Sequence, residues 1–194
     1  MKALNDAGFF IGFGEGTAKA YQEGAVEAYF ARNRTDNGVE GCKLGWDYVE
    51  HLNHFLPFGA VDDILATFDK HIVISRHDRV AQAVSRLVAR QTGQWTSLDE
   101  RLPVEPVYNR ARIDYFIAQA AGDETAIMTY LSVRGIRPLR MAYEENNKFW
   151  ALAVQNVFNF VEAGDIPNRT IMPTIQRQED PIKKQWIERY LRGE

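Results

Sequence analysis

The sequence predicts an α/β domain, a parallel sheet flanked by helices, and three observations carry that expectation. Short apolar runs of strand length recur at 39–46, 71–74 and 138–143. Between them lie longer stretches whose apolar residues repeat with helical period, and strands that alternate with helices favour a parallel sheet. A length of 194 residues suits one domain with a sizeable core. We expect a single domain over residues 1–194.

Residues 1–36 are poorly patterned, with glycines at 8, 12, 14, 16 and 24 and a weak helical stretch from Ala18 to Ala31. Asp36-Asn37-Gly38 signals a turn. The run Val39–Trp46 reads as a strand despite Gly41 and Gly45, and helical patterning follows at about 47–55 and 62–68. His71–Ile74 is a short strand of buried type. The next helix carries Val80, Val84, Leu87 and Val88 on one face, and Gly93 is placed to end it. Residues 96–107, with Pro103 and Pro106, form a loop.

A long helix is expected from about Tyr108 to Arg134, with Ile113, Phe116, Ile117, Ala120, Ile127, Tyr130 and Leu131 on its apolar face and Gly135 as its C-terminal cap. Pro138–Tyr143 is a further strand. Trp150, Ala153, Val154, Val157, Phe160 and Val161 mark another helix. Asp180 reads as an N-cap with Pro181 at the first helical position, opening a last helix through Trp186 and Tyr190.

Composition excludes several function classes. A net charge of −3 gives no general attraction to nucleic acid or to an anionic membrane, so any phosphate site is local. A lone cysteine, Cys42, rules out an internal disulfide and a multi-cysteine zinc site, and suits a cytoplasmic location. The sequence has no apolar run long enough for a transmembrane segment. His51 and His54 stand three apart, but no third metal ligand has readable spacing, so no metal is expected. Gly12-Phe-Gly-Glu-Gly16 looks like a phosphate loop but lacks the spacing, the lysine and a convincing preceding strand.

The informative stretch is Arg76 to Trp95. A strand running into Arg76, a polar turn and then a helix bearing Ser85 places a guanidinium and a hydroxyl where anions bind in open α/β sheets. On pattern alone, a solvated arginine and an ordinary helical serine are the commoner outcome. Trp95 is either an aromatic platform for a sugar or plain packing. Glu15 and Glu27 are the nearby carboxylates able to act as a base.

Three blocks carry a resemblance. Asn37-Gly-Val-Glu-Gly-Cys-Lys-Leu-Gly-Trp46 resembles the NGVxGxKLxW strand of bacterial sulfotransferases related to trehalose 2-sulfotransferase. Arg76-His-Asp-Arg-Val-Ala-Gln-Ala-Val-Ser85, with Gln91-Thr92 and Trp95, resembles their RxDxxxQAVSxxxAxQTxxW block. Arg177-Gln-Glu-Asp180, followed by Trp186 and Glu188-Arg189-Tyr190, is similar to their C-terminal block, and Tyr143-Glu144 falls where many sulfotransferases end a strand in Tyr-Glu. The resemblance covers residues 36–192.

It implies a P-loop nucleotide-kinase-like sulfotransferase fold and transfer of a sulfuryl group from 3′-phosphoadenosine 5′-phosphosulfate, a co-substrate, to a hydroxyl of a carbohydrate or glycolipid acceptor, without a metal. By that analogy Arg76 and Ser85 hold the nucleotide's 3′-phosphate, and Arg177 lies in the segment that closes over it. Trp46 and Trp95 are the acceptor-side candidates, and Glu15 is the positional match to the catalytic base. The family's PRSGST-type loop for the 5′-phosphosulfate has no counterpart in these 194 residues. That departure leads us to expect an N-terminally truncated domain with weak or no turnover. The alternative is a non-catalytic nucleotide-binding or interaction domain that keeps only the 3′-phosphate half-site.

Overall fold

The computed structural model describes residues 9–12, 21–24, 39–43, 45–46, 49–50, 56–162 and 180–194, with the side chains of 9–12, 40, 42 and 147 left aside. Two parallel strand pairs are present among them. Strand β1, Phe9–Gly12, lies beside β2, Glu40–Lys43, in the register Phe9 to Glu40 through Gly12 to Lys43. Residues 1–36 were read as poorly patterned, with no convincing strand before the glycine-rich segment, and β1 now supplies a short one there. Four residues bordered by glycines are too few to show a period, and only the parallel partner identifies them as a strand.

Helix α1 spans Ala60–Ala66 and is followed by β3, Ile72–Ser75. Next come α2, Arg79–Thr92, and α3, Arg110–Val133. Strand β4, Leu139–Ala142, pairs parallel with β3, so α2 and α3 form the crossover. Helices α4, Tyr143–Lys148, α5, Trp150–Val161, and α6, Pro181–Leu191, complete the described order. Tyr143 was expected to close the last strand. It instead opens α4, with Ala142 as the extended residue before it.

Local chemistry explains where the helices start and stop. The Asp78 carboxylate caps α2 by accepting from the Ala81 amide at 2.8 Å, and Gly93 ends that helix at φ 72°. Asn109 caps α3 through the Arg112 amide at 3.0 Å. At its far end the Gly135 amide donates to the Ser132 carbonyl and the Ile136 amide to the Leu131 carbonyl, with Gly135 left-handed. This paired arrangement satisfies carbonyls that the helix leaves open. Asp180 caps α6 through the Ile182 amide at 2.9 Å.

The main core forms where α2 meets α3 and α6. Ala83, Val84, Leu87 and Val88 of α2 pack with Ile113 and Phe116 of α3 and with Trp186 of α6. Trp186 meets Tyr108 edge to face at 5.7 Å. The Tyr190 hydroxyl donates to the Asp114 carboxylate, and the Arg189 guanidinium lies 4.2 Å from the centre of the Tyr108 ring. The Trp-x-x-Arg-Tyr pattern is therefore a clamp that holds the C-terminal helix against the start of α3.

A second cluster joins Val49 and Leu56 to Ala60, Val61, Ile64 and Leu65, with Tyr21, Trp46, Phe68 and Tyr130 packed against it. Arg134 pairs with Asp62 and stacks on Tyr130 at 3.7 Å. Burial, and then the hydrogen bond to Asp62, push the Tyr130 phenol up to about 12.

Gln91 and Thr92 have a structural role that their place in a motif did not reveal. The Gln91 amide group donates to the Val107 carbonyl at 3.0 Å and accepts from its amide at 2.7 Å. The Thr92 carbonyl accepts from the Leu102 amide at 2.8 Å. The 96–107 loop is thereby pinned along α2. Among the described residues no helix is long and apolar enough to cross a membrane.

Ile113 is 0% exposed, whereas Ile74 on β3 is 66% exposed. Ile113→Ala removes packing at the α2–α3 contact and is expected to cost about 2–5 kcal/mol in denaturant unfolding. Ile74→Ala should change stability by no more than about 0.5 kcal/mol. Equal losses at the two positions would show that the core has been placed wrongly.

Candidate functional site

The strand register builds the site. Ser75 pairs with Ala142 at the carboxyl ends of β3 and β4. The next residue on each chain, Arg76 and Tyr143, therefore emerge side by side, and the Arg76 guanidinium lies 3.9 Å from the centre of the Tyr143 ring. A planar cation over an aromatic face is held in place while its edge donors stay available to an oxyanion. The carboxyl edge of a parallel sheet is where open α/β folds bind ligands.

One step further along, the Glu144 carboxylate accepts from the His77 amide at 3.1 Å and from the Asp78 amide at 3.3 Å. Burial raises the pKa of this carboxyl, but these backbone hydrogen bonds and the nearby His77 outweigh it and hold the group below its ordinary 4.5. The consequence differs from the simplest reading of a strand-to-helix turn. The turn's amides are already taken by Glu144, and the Ala81 amide by Asp78. Those amides are therefore not offered to an incoming anion, and Arg76 is the side chain at this edge suited to hold one.

Two further cations stand at the start of α6. Arg101, from the 96–107 loop, makes a 2.9 Å ion pair with Asp180, the cap of α6. Lys183 lies in the first turn of that helix, half-buried. Burial pushes the Lys183 ammonium down, Asp180 pushes it up, and the positive charges of Arg101 and Arg76 push it down again. Lysine is also the wrong charge for a helix N-terminus, where the macrodipole favours acids.

The remaining expected residues are distributed as follows. Ser85 is half-buried on α2, next to the buried Val84. Trp95 follows α2 and is 59% exposed. Trp46 meets Tyr130 edge to face at 5.9 Å within the second cluster, so its contacts are those of a packing residue. Glu15, Glu27, His51, His54 and Arg177 lie outside the described residues, as does the 13–16 portion of the glycine-rich segment. His71 is pushed down by burial, and its Nε2 is buried without a hydrogen-bond partner. An open groove along α3, lined by Arg79, Glu124, Thr125, Met128 and Ser132 among others, contains none of the expected site residues. Among the described residues, the strand-edge geometry identifies the site.

The sequence reading passed over Arg101 and Lys183. One signal was available for Lys183: once Asp180 and Pro181 mark a helix start, a lysine three residues after the cap is out of place. Nothing in the sequence pointed to Arg101, whose partner Asp180 lies 79 positions further along the chain.

Because the folded carboxyl of Glu144 titrates below its unfolded value, its contribution is complete above about pH 4.5 and is lost as pH falls through the folded value. Glu144→Gln is expected to cost about 1 kcal/mol at pH 7, a charged hydrogen-bond term reduced for partial solvent access. It should also flatten the acid limb of stability measured by urea midpoints. Superimposable acid limbs for the two proteins would remove Glu144 as a clasp on the turn.

Comparison with known proteins places this chain in a family. The model of the Stf0 sulphotransferase family matches residues 14–193. The trehalose 2-sulfotransferase of Mycobacterium tuberculosis is 27% identical over 168 residues, covering 81% of this chain and 62% of that protein. The trehalose 2-sulfotransferase of Mycolicibacterium smegmatis is 29% identical over 173 residues, covering 82% of this chain and 63% of its own length. The chain thus spans a little over three fifths of these curated relatives. With a family model matched across nearly all of its length, the chain belongs to the Stf0 sulphotransferase family.

Proposed function

We propose that this chain binds 3′-phosphoadenosine 5′-phosphosulfate as its donor and serves transfer of the sulfuryl group to a carbohydrate hydroxyl. The observation that carries the reading is Arg76, held on the Tyr143 ring at the carboxyl end of β3. Arg76 supplies a planar fork of donors to the 3′-phosphate, and Ser85 on α2 adds a hydroxyl donor. Arg177 is a further phosphate ligand on the same reading. Trp95, 59% exposed, is offered to the acceptor sugar, whereas Trp46, the second aromatic candidate in the sequence, packs against Tyr130.

In the transfer the acceptor oxygen attacks sulfur in line, and the bond from sulfur to the 5′-phosphate oxygen breaks. 3′,5′-Adenosine bisphosphate leaves, and the acceptor proton passes to a base, for which Glu15 is the candidate. The chain's own contribution at the described residues is to anchor the nucleotide by its 3′ end. Glu144 supports that role indirectly, because it fixes the turn that follows Arg76.

Nucleotide binding is the decisive readout, since the 194 residues contain no PRSGST-type loop and transfer to a sugar panel is expected to be weak. Calorimetry with 3′,5′-adenosine bisphosphate should show binding that Arg76→Ala weakens by about 10- to 150-fold, the equivalent of ~1.5–3 kcal/mol for a charge-assisted contact. Affinity unchanged by the substitution would mean that Arg76 has been misassigned.

A further inference from the structure

We propose that His71 is an acid-sensitive latch, which in its neutral form ties the end of α1 to the amino end of the β3–β4 pair and lets that end go when protonated. The latch is independent of the donor reading given above. Three observations carry it. The His71 ring is half-buried, and its Nε2 is buried without a hydrogen-bond partner. The other ring nitrogen, Nδ1, is therefore the one that reaches the backbone carbonyl of Leu65, in the last turn of α1. The His71 carbonyl accepts from the Leu139 amide at 2.9 Å, the bond that opens the ladder between β3 and β4.

One side chain thus stands where two units meet. Helix α1 belongs to the second cluster through Ala60, Val61, Ile64 and Leu65. Strands β3 and β4 present Arg76 and Tyr143 at their far ends. A neutral imidazole suits this position, with an Nδ1–H donor toward Leu65 and a lone pair on Nε2. A second proton has to enter at Nε2, where no acceptor faces it. Burying a charged donor without a partner costs more than leaving a neutral acceptor unpaired. The open carbonyl end of α1 favours a positive ring, but burial is the larger influence and holds the imidazole below its ordinary 6.5.

The charged groups on the surrounding elements are engaged elsewhere or lie at the surface. On α1, Asp62 pairs with Arg134, and Asp63 accepts from the Tyr21 hydroxyl. Lys70 pairs with Glu162 at the end of α5. Asp69, Arg137 and, on β4, Arg140 are exposed. A protonated ring therefore turns toward water, which gives up Leu65 and loosens the first bond between the strands. Because the folded pKa lies below the unfolded one, the contribution of the latch is complete above about pH 6.5 and is lost as pH falls through the folded value. Over that range acid raises the unfolding constant by at most about tenfold per pH unit, the limit for one proton. This window lies above the one in which Glu144 titrates.

The test is NMR of the 194-residue protein. The His71 ring signal, assigned by comparison with His71→Gln, should titrate with a midpoint below 6.5. Amide exchange should show the protection of Leu139 falling severalfold between about pH 7.5 and about pH 5.5, with that of Ile113 in the main core unchanged. His71→Gln keeps a donor for Leu65 and takes up no proton, so its Leu139 protection should stay level. A midpoint at or above 6.5 overturns the latch. So does a loss of Leu139 protection that Ile113 shares, or one that is equal in wild type and in His71→Gln. If the glutamine variant does not fold, the wild-type exchange profile decides alone, and level protection of Leu139 is then the overturning result.

Discussion

The register between β3 and β4 is the constraint on which the candidate site depends. Pairing Ser75 with Ala142 determines that Arg76 leaves the sheet beside Tyr143 and that Glu144 lies over the amides of His77 and Asp78. A slip of one residue would exchange the faces of the strand and separate these partners. The arginine would lose its aromatic support, and the turn into α2 would lose the carboxylate that satisfies it. Two short strands of four residues each thus define the position of a functional group through backbone pairing rather than through a large sheet.

The helical layer makes that register durable. Helix α2 runs directly out of the turn and buries its apolar face against α3 and α6. The Gln91 side chain and the Thr92 carbonyl then bind the following loop back along the helix, and Arg101 reaches Asp180 from that loop. The C-terminal helix is clamped by Trp186, Arg189 and Tyr190. Residues that look like a family signature therefore divide by role. Gln91, Thr92, Trp186 and Tyr190 maintain the scaffold, and Arg76 is presented by it.

Much of the helical layer was legible in the sequence. The apolar stripe of α2 and its glycine stop, the long α3 with Gly135 beyond it, and the Asp180-Pro181 start of α6 all have strong local signals, and all occur within a residue or two of the expected positions. The strands were less legible. Phe9–Gly12 escaped notice because four residues carry no period, and the end at Ala142 was missed because helix α4 begins without a side-chain cap. Arg76 was visible as the residue after a strand, but its stack on Tyr143 was not, since the two are 67 positions apart in the chain.

The sequence by itself determined the helices of the main core, the family and the arginine at the strand edge, because periodicity, caps and contiguous motifs are local properties of the chain. Only the tertiary structure decided what surrounds that arginine. It showed that Glu144 occupies the turn's amides, so that those amides are not offered to an anion. It also brought Arg101, from the 96–107 loop, to Asp180 at the start of the C-terminal helix. The physical reason is that electrostatic fields act through space. Charges remote in sequence meet only after strand register and helix packing have fixed their positions.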